Sequence, residues 1–426
     1  MIADTKIHRL SNGVRIATVS MPHMSSVSIG FWTEIGSRFE RDDEHGICHL
    51  VEHLLFKGTP ERDSLEISRQ VERLGASIDG FTVEDHTCYH VRGPGDQFLP
   101  LLDVLADMYQ NPVFDPQEIE SEKRVIKEEI AMVQDQPSQL LEDLVSEAAW
   151  GENHPLGRSI TGSEETLSHL TRDKIYDFHS RAYSGCHTVI AVAGKIDHDE
   201  VIAAIEQRIG QLPAGEKMDY VKAPAPRPGH AFKKAPSREQ VQLALNFRSA
   251  DRYDPDRYSQ KLLNVLFGEN MSSRLFQVVR EQLGLCYEVQ SDSIAFDDAG
   301  LFQIYLALDP AKVPQALVAI DGIIQEFATQ FPTEQALDEA VSYTIGQSRL
   351  SLESVSSQMI WAGECLLSFD QWFDPEGVHE KLRQVTPSHI LSSARNIFQL
   401  ERLSTALTGP AKAEQSLNAW LKSQTN

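Results

Sequence analysis

The chain has 426 residues, enough for two to four domains. It carries 39 Lys and Arg against 62 Asp and Glu, a formal net charge of −23. That balance argues against nucleic acid as a partner and mildly favours basic or neutral ligands, with solubility as the plainer role of the charge.

The five cysteines, Cys48, Cys88, Cys186, Cys286 and Cys365, are scattered and lack CxxC spacing. They build neither a disulfide framework nor a cysteine zinc site, and they point to a reducing, cytoplasmic setting. The stretch from Met1 to Lys6 has no signal-peptide pattern. No apolar run approaches the ~20 residues of a membrane span, so no membrane partner is expected.

In chain order, residues 7–10 and 14–17 read as strands around the turn signal Ser11-Asn12-Gly13. Residues 27–32 add an alternating strand. Residues 47–56 then follow the polar run Arg41 to Glu44, contain no proline and stop before Gly58, which predicts a helix. His49 and His53 are four apart, share one helix face and can bind one metal ion. Glu52 lies beside that pair, close enough to act on a water at the metal. The spacing HxxEH mirrors the HExxH helix of zinc peptidases. The plainer reading is two core histidines and a chance glutamate. Against it, the rest of the helix is almost wholly apolar. A helix apolar all round is buried, and buried imidazoles and carboxylates need partners. A metal site supplies them for all three groups at once.

Residues 63–74 predict a second helix on Leu65, Ile67, Val71 and Leu74. Residues 75–91 read as two strands with turns. An exposed strand here can pair with a peptide by strand addition; an ordinary edge strand is the alternative. Helices are expected near 98–110 and at 116–134. In the second of these, Ile126 is taken as the centre of the buried stripe, advancing ~100° per residue. Ile119, Ile130 and Val133 then fall within roughly 40° of it, Glu122 and Glu129 at roughly −40° and −60°, and Glu128 at about 200°. Glu128 reads as a solvated charge, while Glu122 and Glu129 face the protein. Glu129 is read as the third metal ligand, and Glu122, two turns earlier, as its hydrogen-bonding support. His45 is a rival ligand but precedes Gly46 and suits a helix cap better. His86, His90 and His154 are weaker rivals.

Further helices are expected at 137–150, 172–183 and 197–211, with an apolar strand at 188–194. The Pro- and Gly-containing stretch 213–230 is the clearest linker, and it separates a domain at 1–212 from one at 231–426. The second half echoes the first. Residues 241–247 resemble the strand 27–32, and 262–268 resemble the end of the metal-motif helix. With Phe267 set on Phe56, Asn264 falls on His53 and Gln260 on His49, while Glu129 falls on Gly346. The expected class is α+β: two homologous α/β domains, each a mixed, largely antiparallel sheet packed with helices, the second without metal ligands. Two unrelated α/β domains that look alike are the alternative. Arg280 and Tyr287, seven apart, are donors able to hold a carbonyl or a developing oxyanion. Arg280 can equally pair with Glu281 or a surface acid.

At these residues the chain resembles the pitrilysin family of zinc peptidases, which includes insulin-degrading enzyme and the mitochondrial processing peptidase. The resemblance runs through Gly46 to Thr59 with its HLVEH core, Glu122 and Glu129, His154-Pro155-Leu156-Gly157, and Ser272-Ser273-Arg274-Leu275-Phe276 through Tyr287. It covers nearly the whole chain. It implies one zinc ion per chain on His49, His53 and Glu129, with Glu52 as base and Glu122 supporting the site. It implies that Arg280 and Tyr287 reach the peptide across a closed chamber, of which each chain forms half, like one side of a clamshell. It implies that the peptide lies along the strand Ser77, Ile78, Asp79, Gly80, Phe81 and Thr82. Family members often read Asn-Ala where this chain has Asp79-Gly80, a departure that puts the usual side-chain contact to the peptide backbone in doubt and adds a negative charge. Short members form the chamber as dimers. This chain holds both the zinc motif and the Arg/Tyr pair, which implies a homodimer. The expected activity is that of a zinc-dependent endopeptidase acting on short or unfolded peptides. A non-catalytic peptide-binding or assembly subunit of the same fold is the alternative. A purely structural zinc site completed by His45 or Cys48 is a third reading.

Overall fold

The turn at Ser11–Gly13 joins strand β1 (Asp4–Arg9) to β2 (Arg15–Ser20), which pair antiparallel. The computed structural model describes residues 4–235 and 240–424; Met1 to Ala3, where the reading of the N-terminal stretch begins, lie outside them. Four more strands, β3 (Ser26–Thr33), β4 (Ser77–Thr82), β5 (Thr87–Pro94) and β6 (Thr188–Gly194), complete a six-stranded sheet in the order β1-β2-β6-β3-β5-β4. β2 and β6 run parallel, and the other neighbours are antiparallel. β6 is buried at every residue, because both faces of the sheet are covered there. Ile190 and Val192 join the core that holds the metal-motif helix, while Val189, Ala191 and Ala193 meet the helix Val355–Phe369 on the opposite face. Burial on both faces is why this strand reads as a continuous apolar run rather than an alternating one.

A second sheet contains β7 (Gly229–Lys234), β8 (Val241–Ser249), β9 (Cys286–Ala295), β10 (Gly300–Leu308) and β11 (Leu403–Gly409), in the order β7-β11-β8-β10-β9. β7 and β11 are parallel, and the rest are antiparallel. This repeats the order and sense of β2-β6-β3-β5-β4. The fold is therefore α+β with one topology used twice. The helix Arg257–Asn264 lies between β8 and β9, just as the helix Ile47–Leu55 lies between β3 and β4. Its Gln260 and Asn264 are buried. The Asn264 amide accepts from Ser291 at 2.6 Å and donates to Glu269 at 2.9 Å, and Lys261 pairs with Glu269 at 2.6 Å. The position that reads as His53 in the first copy is thus a neutral amide with both its oxygen and its nitrogen bonded.

The chain divides into two units, one of Met1–Ile130, Ser159–Val221 and Arg349–Asp374, the other of Ala131–Arg158, Lys222–Ser348 and Pro375–Asn426. Each sheet takes a helix from the other half of the sequence. Pro137–Trp150 packs on β7, β8 and β11, and Val355–Phe369 packs on β2, β3 and β6. Helical periodicity shows which face of these segments is apolar; it does not show which sheet will cover it. Among the described residues, no helix is long and apolar enough to cross a membrane.

The approach of Val355–Phe369 to its sheet is close enough to demand glycine on both sides. A Cβ on Gly363 would lie 2.4 Å from the Trp32 ring, and one on Gly30 would lie 2.4 Å from Met359 Sδ. Trp32 is fully buried and cannot give way. Gly363→Leu should therefore lower the unfolding free energy by about 1–3 kcal/mol despite its better helix propensity. The measurement is the urea midpoint at unchanged slope. An unmoved midpoint would refute this packing.

Candidate metal centre

The metal-motif helix runs from Ile47 to Leu55 and buries Ile47, Cys48, Leu50, Val51, Leu54 and Leu55. What remains is His49, Glu52 and His53 on the partly open side. The helix begins at Gly46, whose φ of +90° lies in the left-handed region and suits glycine. His45 is not a cap: its Nε2 bonds the Ser159 carbonyl oxygen at 2.8 Å, and no side chain caps the helix from Gly46. Gly46 itself takes the cap position, and the His45 ring is held at the Ser159 carbonyl instead. Those groups are met from a distance by Glu40, whose Oε2 accepts from Gly46 N and Oε1 from Cys48 N, both at 2.9 Å.

Glu122 and Glu129 come from the helix Pro116–Asp135. On it Ile119, Glu122 and Ile126 are buried, and Glu128 is exposed. Glu129 Oε2 lies 3.7 Å from His49 Nε2 and 3.9 Å from His53 Nε2. The ligand atoms of the three residues all lie within 4.8 Å of one another, and this is the one such cluster of metal-ligating groups among the described residues. Tetrahedral zinc with bonds of roughly 2.0–2.2 Å places its ligand atoms roughly 3.3–3.6 Å apart. The measured separations are slightly wider, and two imidazole nitrogens with one carboxylate oxygen form the donor set of a catalytic zinc site. The residues fit the ion.

Support for the two histidines differs. His53 Nδ1 is 3.0 Å from Glu122 Oε2, and Glu122 Oε1 pairs with Lys57 Nζ at 2.7 Å. A carboxylate on the far ring nitrogen fixes the tautomer and turns Nε2 toward the cluster. His49 has no such partner: its Nδ1 is buried without a hydrogen bond. Burial first, and the neighbouring His53 second, push the His49 pKa down to about 4, so the ring is neutral and able to ligate at neutral pH.

Glu52 stands beside the cluster. Its Oε2 accepts from Thr82 Oγ1 at 2.5 Å. Burial raises its pKa above the ordinary 4.5, with Thr82 and His53 opposing the shift and Glu129 and Asp79 adding to it.

Thr82 ends β4, which is the edge strand of its sheet and pairs only with β5. Along it, Ile78, Gly80 and Thr82 face the metal-motif helix, and a Cβ on Gly80 would sit 3.4 Å from Glu52 Cγ. Ser77, Asp79 and Phe81 take the other face. The Asp79 carboxylate accepts from Gly80 N at 2.8 Å, and His90 is its cross-strand neighbour. His86, His90 and His154 stay outside the metal cluster. His154 Nδ1 instead accepts from Leu156 N at 3.1 Å.

In the other unit, Arg280 and Tyr287 are brought together. The Arg280 guanidinium carbon lies 5.1 Å from the Tyr287 ring centre and 4.7 Å from that of Phe276. Glu281 is 3.8 Å from Arg280, and Tyr287 is 77% exposed.

Two family models match the chain: "Insulinase (Peptidase family M16)" over residues 15–164 and "Peptidase M16 inactive domain" over residues 169–343. An uncharacterized zinc protease of Streptomyces coelicolor is 33% identical over 421 residues, spanning 96% of this chain and 90% of that protein. The chain belongs to peptidase family M16. Within this pitrilysin family it is of the short bacterial type. The uncharacterized zinc protease YmxG of Bacillus subtilis is also similar, 33% identical over 406 residues and covering 95% of this chain and 98% of that protein. The fold matches a crystal structure of a protease from Helicobacter pylori at a TM-score of 0.89 and 20% identity, over 96% of this chain and all of that one. It matches an M16 inactive domain from Pseudomonas fluorescens at 0.89 and 21%, over 96% and 98%.

Lys57 and Glu40 were not legible as site residues beforehand. Lys57 lies in the turn after the helix, where no period marks it, and is identified by its ion pair with Glu122. Glu40 has no signal either, because it lies in a loop outside any periodic pattern. Alanine at His49, His53 or Glu129 should abolish binding of one zinc per chain, measured by elemental analysis after gel filtration. Glu122→Gln should weaken it by about 10–100-fold. Full zinc content in Glu129→Ala would exclude it as a ligand.

Proposed function

We propose that this M16 chain is a zinc-dependent endopeptidase that cleaves short or unfolded peptides at His49, His53, Glu129 and Glu52. The observation that carries this reading is the convergence of three metal-ligating atoms beside a desolvated carboxylate, Glu52, next to the free edge of β4. Zinc held there supplies a Lewis acid for the peptide carbonyl and lowers the pKa of water toward ~7. Glu52 takes the proton of the attacking water and returns it to the departing amine. Thr82 holds Oε2 of that carboxylate, which leaves Oε1 for the proton. The open edge of β4, on the side away from β5, aligns the peptide by strand addition. Arg280 and Tyr287 donate hydrogen bonds to the carbonyl oxygen as negative charge develops. Both sets lie in one chain, so two copies make a homodimer that encloses the peptide in a chamber. Light scattering should return twice the chain mass.

The second reading, a non-catalytic peptide-binding subunit, is favoured by the match to a domain described as inactive. That match covers 169–343, however, and the metal cluster lies before it. The test is mass-spectrometric cleavage of a mixed pool of unstructured peptides. The wild type should cut, and Glu52→Gln should cut about 10²–10⁴-fold more slowly while keeping its zinc. Cleavage at wild-type rate by the variant would remove Glu52 from the mechanism. No cleavage by the zinc-loaded wild type would favour the binding-subunit reading.

The pH profile has a defined sign. A protonated Glu52 cannot accept a proton, so kcat/KM should fall as pH drops through its raised pKa, with an acid limb above 4.5. Zinc content is measured along the limb, so that loss of the ion is told apart from protonation of Glu52. An acid limb that persists unchanged in the residual activity of Glu52→Gln would contradict the assignment.

A further inference from the structure

We infer that Glu40 is the positioning residue of the metal-motif helix: its buried carboxylate, bound to the N–H groups of Gly46 and Cys48, sets where His49 presents its ring. The inference rests on the metal-site reading above.

Glu40 follows the short 3-10 turn Ser37–Phe39 and is buried. Both its oxygens are used on one turn of helix, at 2.9 Å each, and the Cys48 thiol adds a third hydrogen bond to it. In every one of these bonds a Glu40 oxygen is the acceptor. Among the described residues no Lys, Arg or His pairs with it. A buried carboxylate without a cation is costly, and a residue needed only for packing would be apolar. Here the compensation comes from the helix itself, whose first N–H groups and positive dipole end face the carboxylate. The carboxyl and the helix therefore hold each other in place through these hydrogen bonds. Burial pushes the carboxyl up to about 8, against the pull of the Cys48 and Gly46 N–H groups.

The neighbouring contacts make this anchor necessary. Gly46 brings no side chain to cap the helix, and a Cβ there would lie 2.9 Å from Gly162 Cα. The two histidines are also unequally supported. His53 is oriented by Glu122 through its ring nitrogen, while the Nδ1 of His49 is buried and unpaired. With no partner on Nδ1, the His49 ring depends on its backbone for its position. Glu40 binds the peptide N–H immediately before that residue. One histidine is thus held through its ring and the other through its main chain.

The test compares wild type with Glu40→Gln, which keeps the shape but turns one acceptor into a donor facing an N–H group. Zinc affinity is measured by chelator competition, metal geometry by the visible spectrum of the cobalt-loaded protein, and turnover by kcat and KM. The expected result is a folded protein with zinc Kd raised about 10–100-fold, a shifted cobalt spectrum, and a lowered kcat with KM little changed. Glu40→Asp, which keeps both acceptor oxygens, should recover part of the zinc affinity. Wild-type Kd and cobalt spectrum in Glu40→Gln, even with a lowered melting temperature, would overturn the inference and leave Glu40 a stabilising residue only. Failure of both variants to fold would overturn it in the same way. If the wild type itself binds no zinc, the metal-site reading fails first, and the two failures are told apart by that measurement.

Discussion

Desolvation is the constraint on which the rest of the structure depends. His49, Glu52, His53 and Glu129 meet on the partly open side of an otherwise apolar helix, where little water is left to stabilise charge. Such groups persist only if each has a partner. The partners form a chain of their own. His53 rests on Glu122, Glu122 rests on Lys57, Glu52 rests on Thr82, and the helix backbone rests on Glu40. The same desolvation keeps His49 neutral and lifts Glu52 above an ordinary carboxylate, so one physical cause acts on both groups. The unpaired Nδ1 of His49 is the one place in this chain of partners where a contact is missing, and the backbone contact from Glu40 lies directly beside it.

In the repeated sheet the constraint is lifted. β7-β11-β8-β10-β9 copies β2-β6-β3-β5-β4 in order and direction, and a helix occupies the same place before the edge strand. In the second copy the buried position matching His53 carries an amide, which Ser291 and Glu269 satisfy on both its oxygen and its nitrogen. A neutral amide with both halves bonded needs no ion. The polar character of the position is retained while its capacity to bind metal is gone. The fold is therefore used twice, while the cluster of metal-ligating groups occurs once among the described residues.

Much of the site was readable from local pattern. The four-residue spacing of His49 and His53 puts them on one face whatever the tertiary fold. The phase of the helix Pro116–Asp135 separated the buried Glu122 from the exposed Glu128 through a rotation of about 100° per residue. What pattern could not provide was any contact made by a residue outside an element. Glu40 reaches the helix from a loop. His45 looked like a cap only because the left-handed turn at Gly46 has no signature beyond the glycine itself.

The sequence by itself determined the elements, their apolar faces, the metal-ligating residue types and the internal repeat. These are local properties, set by periods of 3.6 and 2 residues and by the chemistry of single side chains. Only the tertiary structure decided which sheet buries Pro137–Trp150 and which buries Val355–Phe369, since an apolar stripe accepts any complementary apolar surface. Only it brought Glu129 within 4 Å of both histidines. Only it placed a buried carboxylate at the start of the metal-motif helix, because a hydrogen bond across a loop depends on where the chain returns in space and leaves no period to read.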